Sequence, residues 1–294
     1  MKAKVVAAAL ALGAAFAAGA LEWPVSGRIV TGTFGEDRGD HFHLGIDIGG
    51  GEQVIRPVLP GELVFRYEEN ADYTSLPRGV GSFAVIRHQD DVLSVYCHLR
   101  RDLARPALTT FTVRDPVGVM GDTGYSEGTH LHFSVYDGET GSWINPLSLL
   151  PTVADRDPPV VKRIALRRGD RVTDLVPGIV VPSGPAEVLV EAYDVRGDVR
   201  FLWPLAPYAV RLVLNGAEVA RFAFEALEVR EGRMVLLGTA LAAPDVYATD
   251  RLLRLGTVGL RGGESHLIAV VRDFAGNEAT REVFFTKVSY LFRL

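Results

Sequence analysis

Residues Thr123–Asp137 read TGYSEGTHLHFSVYD. A glycine-punctuated loop runs into His130-Leu131-His132, and apolar and polar residues then alternate. Successive side chains of a β-strand point to opposite faces, so His130, His132, Ser134 and Tyr136 share one face. Leu131, Phe133 and Val135 take the other, which is the pattern of a strand with one buried side. Two imidazoles are thereby held side by side on the outer face of a fixed backbone. That is a good place to hold a metal ion, and its partners are to be sought elsewhere in the chain.

Working upstream, Glu22 to Gly35 reads as short strands broken by glycines. Alternation returns between His43 and Ile48: Leu44, Ile46 and Ile48 fall on one face, His43, Gly45 and Asp47 on the other. Residues i and i+4 of a strand lie on the same side, so an imidazole and a carboxylate converge over a glycine, half of a zinc site. Pro60-Gly61 marks a turn before a strand predicted over 62–67. Residues 68–81 read as a loop. A hairpin is predicted from 82–88 and 92–99, with Leu93, Val95, Cys97 and Leu99 as the apolar face of its second strand. Ser94, Tyr96 and His98 take the opposite face. Cys97 is then a small buried hydrophobe. Residues 100–117 contain Pro106 and Pro116 and read as an irregular crossing segment with a short helix. No long amphipathic helix is legible before Leu150, so this half is expected to be all-β.

The whole chain has 294 residues and 48% hydrophobic content, enough for one large or two ordinary domains. Its 23% charged residues are well mixed, which argues against disorder. Residues 1–20 stand apart: Lys2 and Lys4, an apolar run to Ala18, then Ala18-Gly19-Ala20. This is the layout of a signal peptide cleaved after Ala20. The run is shorter than the roughly 20 apolar residues that span a bilayer, and no later stretch is long enough either. Loss of both lysines moves the formal charge from −5 to −7. An acidic chain without a basic run is a poor nucleic-acid binder. With Cys97 as the single cysteine, no intramolecular disulfide can form. The mature chain is expected to be secreted or periplasmic, with no membrane span after cleavage.

Residues 153–159 separate the metal-bearing half (21–152) from a second set of strands (160–294). Strands are predicted over 160–167, 186–194, 208–214, 218–224 and 266–272. Asn215-Gly216 between two alternating runs is a strong hairpin signal. Asp273-Phe274-Ala275-Gly276-Asn277 is read as a turn rather than a calcium loop. Strands at this spacing suggest an Ig-like β-sandwich of about 135 residues. Residues 228–262 resist this reading and suggest an insertion.

Three stretches now offer polar groups: His43 with Asp47, His98, and His130 with His132. A catalytic zinc site takes three protein ligands and keeps one position for water. Two imidazoles and a carboxylate meet that need, leaving two histidines for proton transfer and charge stabilisation. Periodicity alone does not say which histidine does what. His41, His88 and His266 are read as structural, His41 being at most a spare ligand.

The ordered set HLGID (43–47), YCHL (96–99) and GDTGYSEGTHLHF (121–133) closely resembles the lysostaphin/LytM-type zinc endopeptidases, over roughly residues 25–150. The resemblance implies an antiparallel β fold with an open groove, one Zn2+, and cleavage of peptide cross-links in peptidoglycan. It implies His43, Asp47 and His132 as metal ligands. His98 and His130 would flank the metal-bound water, one as base and the other stabilising the oxyanion. Departures are the glycine-poor ALTTFTVRDPV before Gly118, Arg56 before Pro57, and Gly50-Gly51-Glu52, which put substrate preference and groove-wall charge apart from the family pattern. The alternative reading is a wall-binding protein that activates a partner hydrolase. Such relatives have usually lost metal ligands, and here none is lost. The second half is read as a spacer or a module that docks to the wall or to an envelope partner.

Overall fold

The computed structural model of the chain describes residues 21–69, 79–101, 108–196 and 204–288. The expected signal peptide lies outside the described residues, as do parts of the loop at 68–81 and of the segment at 100–117.

The β-branched and aromatic runs between glycines and prolines form strands. The first ten are β1 (Ile29–Gly32), β2 (Ile46–Gly49), β3 (Val54–Ile55), β4 (Gly61–Tyr67), β5 (Ser82–Arg87), β6 (Val92–Leu99), β7 (Thr110–Phe111), β8 (Gly118–Val119), β9 (Leu131–Asp137) and β10 (Ser142–Ile144). The next six are β11 (Val160–Arg168), β12 (Arg171–Asp174), β13 (Val180–Pro182), β14 (Gly184–Tyr193), β15 (Ala209–Leu214) and β16 (Ala217–Ala223). The last are β17 (Ala226–Arg230), β18 (Arg233–Leu236), β19 (Tyr247–Thr249), β20 (Leu252–Leu260), β21 (Gly263–Arg272) and β22 (Glu278–Val288). Helix among the described residues amounts to one turn at Ala243–Val246 and two short 3-10 turns. The all-β expectation holds.

The chain divides into two units. The first draws on 21–35, 43–153 and 225–240, and the second on 36–42, 154–224 and 241 onward. In the first, an antiparallel sheet runs β18-β17-β10-β9-β6-β5-β4-β7, with β2 also pairing to β9 and β1 to β2. Its core is lined by Ile46, Ile48, Ala84, Ile86, Tyr96, Leu131 and Phe133, all wholly buried.

Strand β6 departs from the expected faces. Ser94 and Tyr96 are wholly buried, whereas Leu93 and Val95 are only half-buried. A hydrogen-bond chain makes this affordable. The His88 imidazole meets Ser94 Oγ at 2.7 Å, Ser94 Oγ donates to Tyr96 Oη at 2.9 Å, and the Val58 N–H donates to Tyr96 Oη at 3.0 Å. Buried polar groups are tolerated when each has a partner, and here each does. The Tyr96 ring meanwhile packs on Phe133, its cross-strand partner, at 5.4 Å.

The stretch 228–262, which the sequence pattern leaves open, begins within the β17–β18 hairpin, closed by Glu231 and Gly232, both at positive φ. Leu227 of β17 pairs with Trp143 of β10, so this hairpin extends the first unit's sheet.

The second unit holds two five-stranded sheets, β12-β11-β14-β20-β19 and β13-β22-β21-β15-β16. Ile164, Val188, Val190, Leu212, Leu253, Ala269 and Val271 are buried to completion. Asn215 (φ 52°) and Gly216 (φ 82°) both adopt the left-handed conformation that a tight two-residue hairpin requires. Phe42 belongs to this unit, its ring meeting Phe224 at 6.0 Å and Tyr247 at 6.2 Å.

Candidate metal centre

Strands β2 and β9 set the centre. Their register pairs Ile46 with Phe133, Asp47 with His132 and Ile48 with Leu131. The apolar members fill the core, and Asp47 and His132 emerge together on the other side. Sequence alternation suggested a strand already at His43, but β2 begins only at Ile46. Residues 43–45 instead bend across β9. A Cβ on Gly45 would lie 2.3 Å from the Phe133 carbonyl oxygen and 2.5 Å from Ser134 Oγ, so only glycine admits this crossing. The bend carries the His43 side chain over to Asp47 and His132.

The three candidate ligand atoms form a nearly equilateral triangle. His43 Nε2 lies 2.9 Å from His132 Nδ1, and Asp47 Oδ1 is 3.1 Å from each. The outer nitrogens are engaged. His43 Nδ1–H donates to the Thr33 carbonyl at 2.8 Å, and His132 Nε2 meets Ser134 Oγ at 2.8 Å. In that tautomeric arrangement two imidazole lone pairs and a carboxylate oxygen point at one another with no proton between them. Such a donor set fits a cation. Ligands of a tetrahedral zinc at about 2.0 Å stand about 3.3 Å apart, close to the spacing seen. Imidazoles whose second nitrogen donates to a carbonyl or hydroxyl are oriented as metal ligands are.

His98 and His130 stand beside this triangle. Their ring centroids are 4.6 Å apart, His98 is 6.1 Å from the His132 ring, and His130 Nε2 is 3.7 Å from Asp47 Oδ1. Each is oriented through Nδ1, by the Thr123 carbonyl (2.8 Å) for His98 and the Gly128 carbonyl (2.8 Å) for His130. The Nε2 atoms are thereby left as the working atoms. His98 has φ 59°, a left-handed conformation uncommon for a side-chain-bearing residue and held where the surroundings over-determine it. The loop that anchors it is itself fixed: Thr123 Oγ1 accepts from the Ser82 N–H and donates to the Leu99 carbonyl. Gly124, at φ 80°, abuts the backbone of Gly81 so closely that a side chain there would strike it.

The electrostatics follow from this enclosure. Burial alone would raise the Asp47 carboxyl, but His43 and His132 hold it well below the usual carboxylate range. Burial draws His132 below an ordinary imidazole and His98 down to about 4, so both are neutral at physiological pH. Burial, with the Asp47 charge behind it, pushes the Cys97 thiol up to about 12, which leaves it un-ionised.

All five residues singled out in the sequence therefore lie in one cluster. His41 does not join them; it is exposed and bonded to Asp40. Sequence reasoning placed Ser134 on the right face without giving it work. Its hydroxyl is the partner of His132. The orienting carbonyls of Thr33, Thr123 and Gly128 carry no side-chain signal.

Residues 41–146 match the family description Peptidase family M23. The murein hydrolase activator NlpD of Escherichia coli (strain K12) is 37% identical over 131 residues, covering 44% of this chain and 31% of that protein. The outer membrane antigenic lipoprotein B of Haemophilus influenzae is 33% identical over 132 residues, covering 44% of this chain and 29% of its own length. A zinc containing peptidase from Vibrio cholerae, known as a crystal structure, aligns with a TM-score of 0.33 at 23% identity, over 40% of this chain and 36% of that one. The chain spans about a third of the length of these curated relatives. Residues 41–146 thus carry the match to peptidase family M23, and their motifs and histidine–aspartate cluster support the lysostaphin/LytM type.

Proposed function

We propose that this chain is a zinc-dependent endopeptidase that hydrolyses peptide cross-links of bacterial peptidoglycan. The observation that carries the reading is the complete donor triangle of His43, Asp47 and His132 beside two oriented, neighbouring histidines. Zinc, when bound, supplies Lewis acidity and lowers the pKa of its water towards about 7. The chain's own residues supply the rest. One of His98 and His130 accepts a proton at Nε2, and the other presents its Nε2 side to the negative charge that develops on the carbonyl oxygen. Their Nδ1 bonds to Thr123 and Gly128 keep both rings from turning.

The first unit is the peptidase domain and the second an Ig-like sandwich that docks to the wall or to an envelope protein. Export through the N-terminal signal peptide places the chain in the envelope or periplasm, the compartment suggested by relatives named as lipoproteins. No helix among the described residues is long and apolar enough to cross a membrane.

A second reading has its own support: the relatives at 33–37% identity include proteins named murein hydrolase activators. On that reading the domain binds and stimulates a partner amidase. Mass spectrometry of muropeptides after digestion of purified peptidoglycan separates the two. Conversion of cross-linked muropeptide dimers to monomers by the chain alone supports the endopeptidase and reports the bond. No such conversion, together with stimulation of an amidase, replaces it with the activator.

A further inference from the structure

A second cluster of metal-competent groups lies wholly within the second unit. The carboxylates of Asp155, Asp194 and Asp273 each offer an oxygen, and the three oxygens lie within 4.8 Å of one another. They come from separate places in the sequence. Asp155 precedes β11, Asp194 follows β14 in one sheet, and Asp273 follows β21 in the other.

Three carboxylates gathered in this way repel one another, and two of them are satisfied locally. Asp273 Oδ1 accepts from the Gly276 and Asn277 N–H groups at 2.7 and 2.8 Å, and its Oδ2 accepts from Asn277 Nδ2 at 2.7 Å. Asp155 Oδ1 accepts from the Asp157 N–H at 3.1 Å. Asn277 Nδ2 also reaches the Asp155 carbonyl at 3.3 Å, which ties the two segments together.

Asp194 differs. It is only 6% exposed, and its Oδ1 is buried without a hydrogen-bond partner. Its main chain is held in place, with N–H and C=O both paired with Leu205, at 2.8 and 2.9 Å. An unsatisfied carboxylate oxygen facing two more carboxylates is a costly arrangement for a core to keep. Burial, then the charges of Asp273 and Asp155, raise this carboxyl to about 7, with Val195 and Arg196 offsetting only part.

We propose that Asp155, Asp194 and Asp273 hold a hard divalent cation of the calcium class, as a structural site of the second unit. The donor set is all oxygen, which favours calcium over zinc or copper. A calcium shell at 2.3–2.6 Å also spans oxygens at this spacing. The cation gives Asp194 Oδ1 the partner it lacks, and it links the segment before β11 to the ends of strands in both sheets. This site is independent of the histidine centre in ligands, in metal and in location along the chain.

The test is calorimetric titration of calcium chloride into the calcium-free full chain, with and without added zinc so that the histidine centre is accounted for. One calcium per chain is expected, unaffected by zinc, with affinity at least tenfold weaker in Asp194→Asn. Asp155→Asn, which alters a residue outside the strands, should weaken binding likewise and guards against a folding defect in the first variant. Absence of binding at millimolar calcium, or binding unchanged in both variants, overturns the proposal.

Discussion

Asp47 and His132 sit directly opposite each other on the antiparallel strands β2 and β9, and Asp47 Oδ1 lies 3.1 Å from His132 Nδ1. Strand register therefore sets the spacing of two metal ligands. A slip of β2 by one residue against β9 would turn Asp47 into the core and bring Ile46 and Ile48 out to solvent, away from Leu131 and Phe133. Burial of those four residues specifies the register, so the hydrophobic core and the metal centre depend on one pairing. Purified without chelator, the chain should carry about one zinc. His132→Ala or Asp47→Ala should lose it, read by elemental analysis. His98→Ala and His130→Ala should keep the metal while peptidoglycan hydrolysis falls a hundredfold or more, on the order expected for general acid–base groups. Retained turnover in either would remove its assigned role.

Ser134 is expected to act on the metal through His132. It is 2% exposed, and its hydroxyl meets His132 Nε2 at 2.8 Å. Ser134→Ala should weaken zinc affinity about 10- to 100-fold, as loss of an orienting partner does elsewhere. Competition against a zinc chelator measures this, and Ser134→Thr should restore part of the affinity by returning the hydroxyl. An unchanged affinity in the alanine variant would make Ser134 a packing residue only.

Gly45 tests the crossing over β9. A methyl group there would press on the Phe133 carbonyl, which is backbone and cannot yield cheaply. Gly45→Ala should cost about 1–3 kcal/mol in stability, the usual range for overpacking, and should displace His43 enough to lower zinc content. Gly259→Ala in β20 is the control, since a Cβ there meets nothing within 4 Å. Denaturant unfolding with parallel zinc analysis compares the two.

What was legible and what was not divides along physical lines. The ligand strands could be read because Leu131, Phe133 and Val135 alternate with polar neighbours and one face is buried. Strand β6 misled because its buried face carries Ser94 and Tyr96, whose polar atoms are satisfied by His88 and by the Val58 N–H, partners brought in from other strands and loops. Residues 228–262 resisted reading at their start because β17 pairs with β10, more than eighty positions earlier in sequence, and periodicity carries no information about so distant a partner. The Tyr96 arrangement is itself testable. Tyr96→Phe should destabilise the first unit by about 1–3 kcal/mol, by leaving the Val58 N–H without its acceptor, while zinc content stays unchanged. A neutral effect would mean that the hydroxyl contributes nothing to the buried chain.

The Asp194 carboxyl gives a pH dependence whose sign is fixed. Its folded pKa of about 7 lies above the ordinary 3.8, so the folded chain holds this proton more tightly than the unfolded chain does. Stability is therefore unaffected by this group below about pH 4 and falls as the pH rises towards 7. The loss approaches about 4 kcal/mol at most, at 1.36 kcal/mol per unit of pKa difference. Chelator-treated protein should show this decline in denaturant unfolding, and Asp194→Asn, which cannot ionise, should lack it. The histidine centre contributes equally to both proteins, so the difference between their curves isolates Asp194. Parallel curves would show that the carboxyl titrates alike in the folded and unfolded chains. Saturating calcium should flatten the parent's decline, because a carboxylate held by a cation no longer needs its proton.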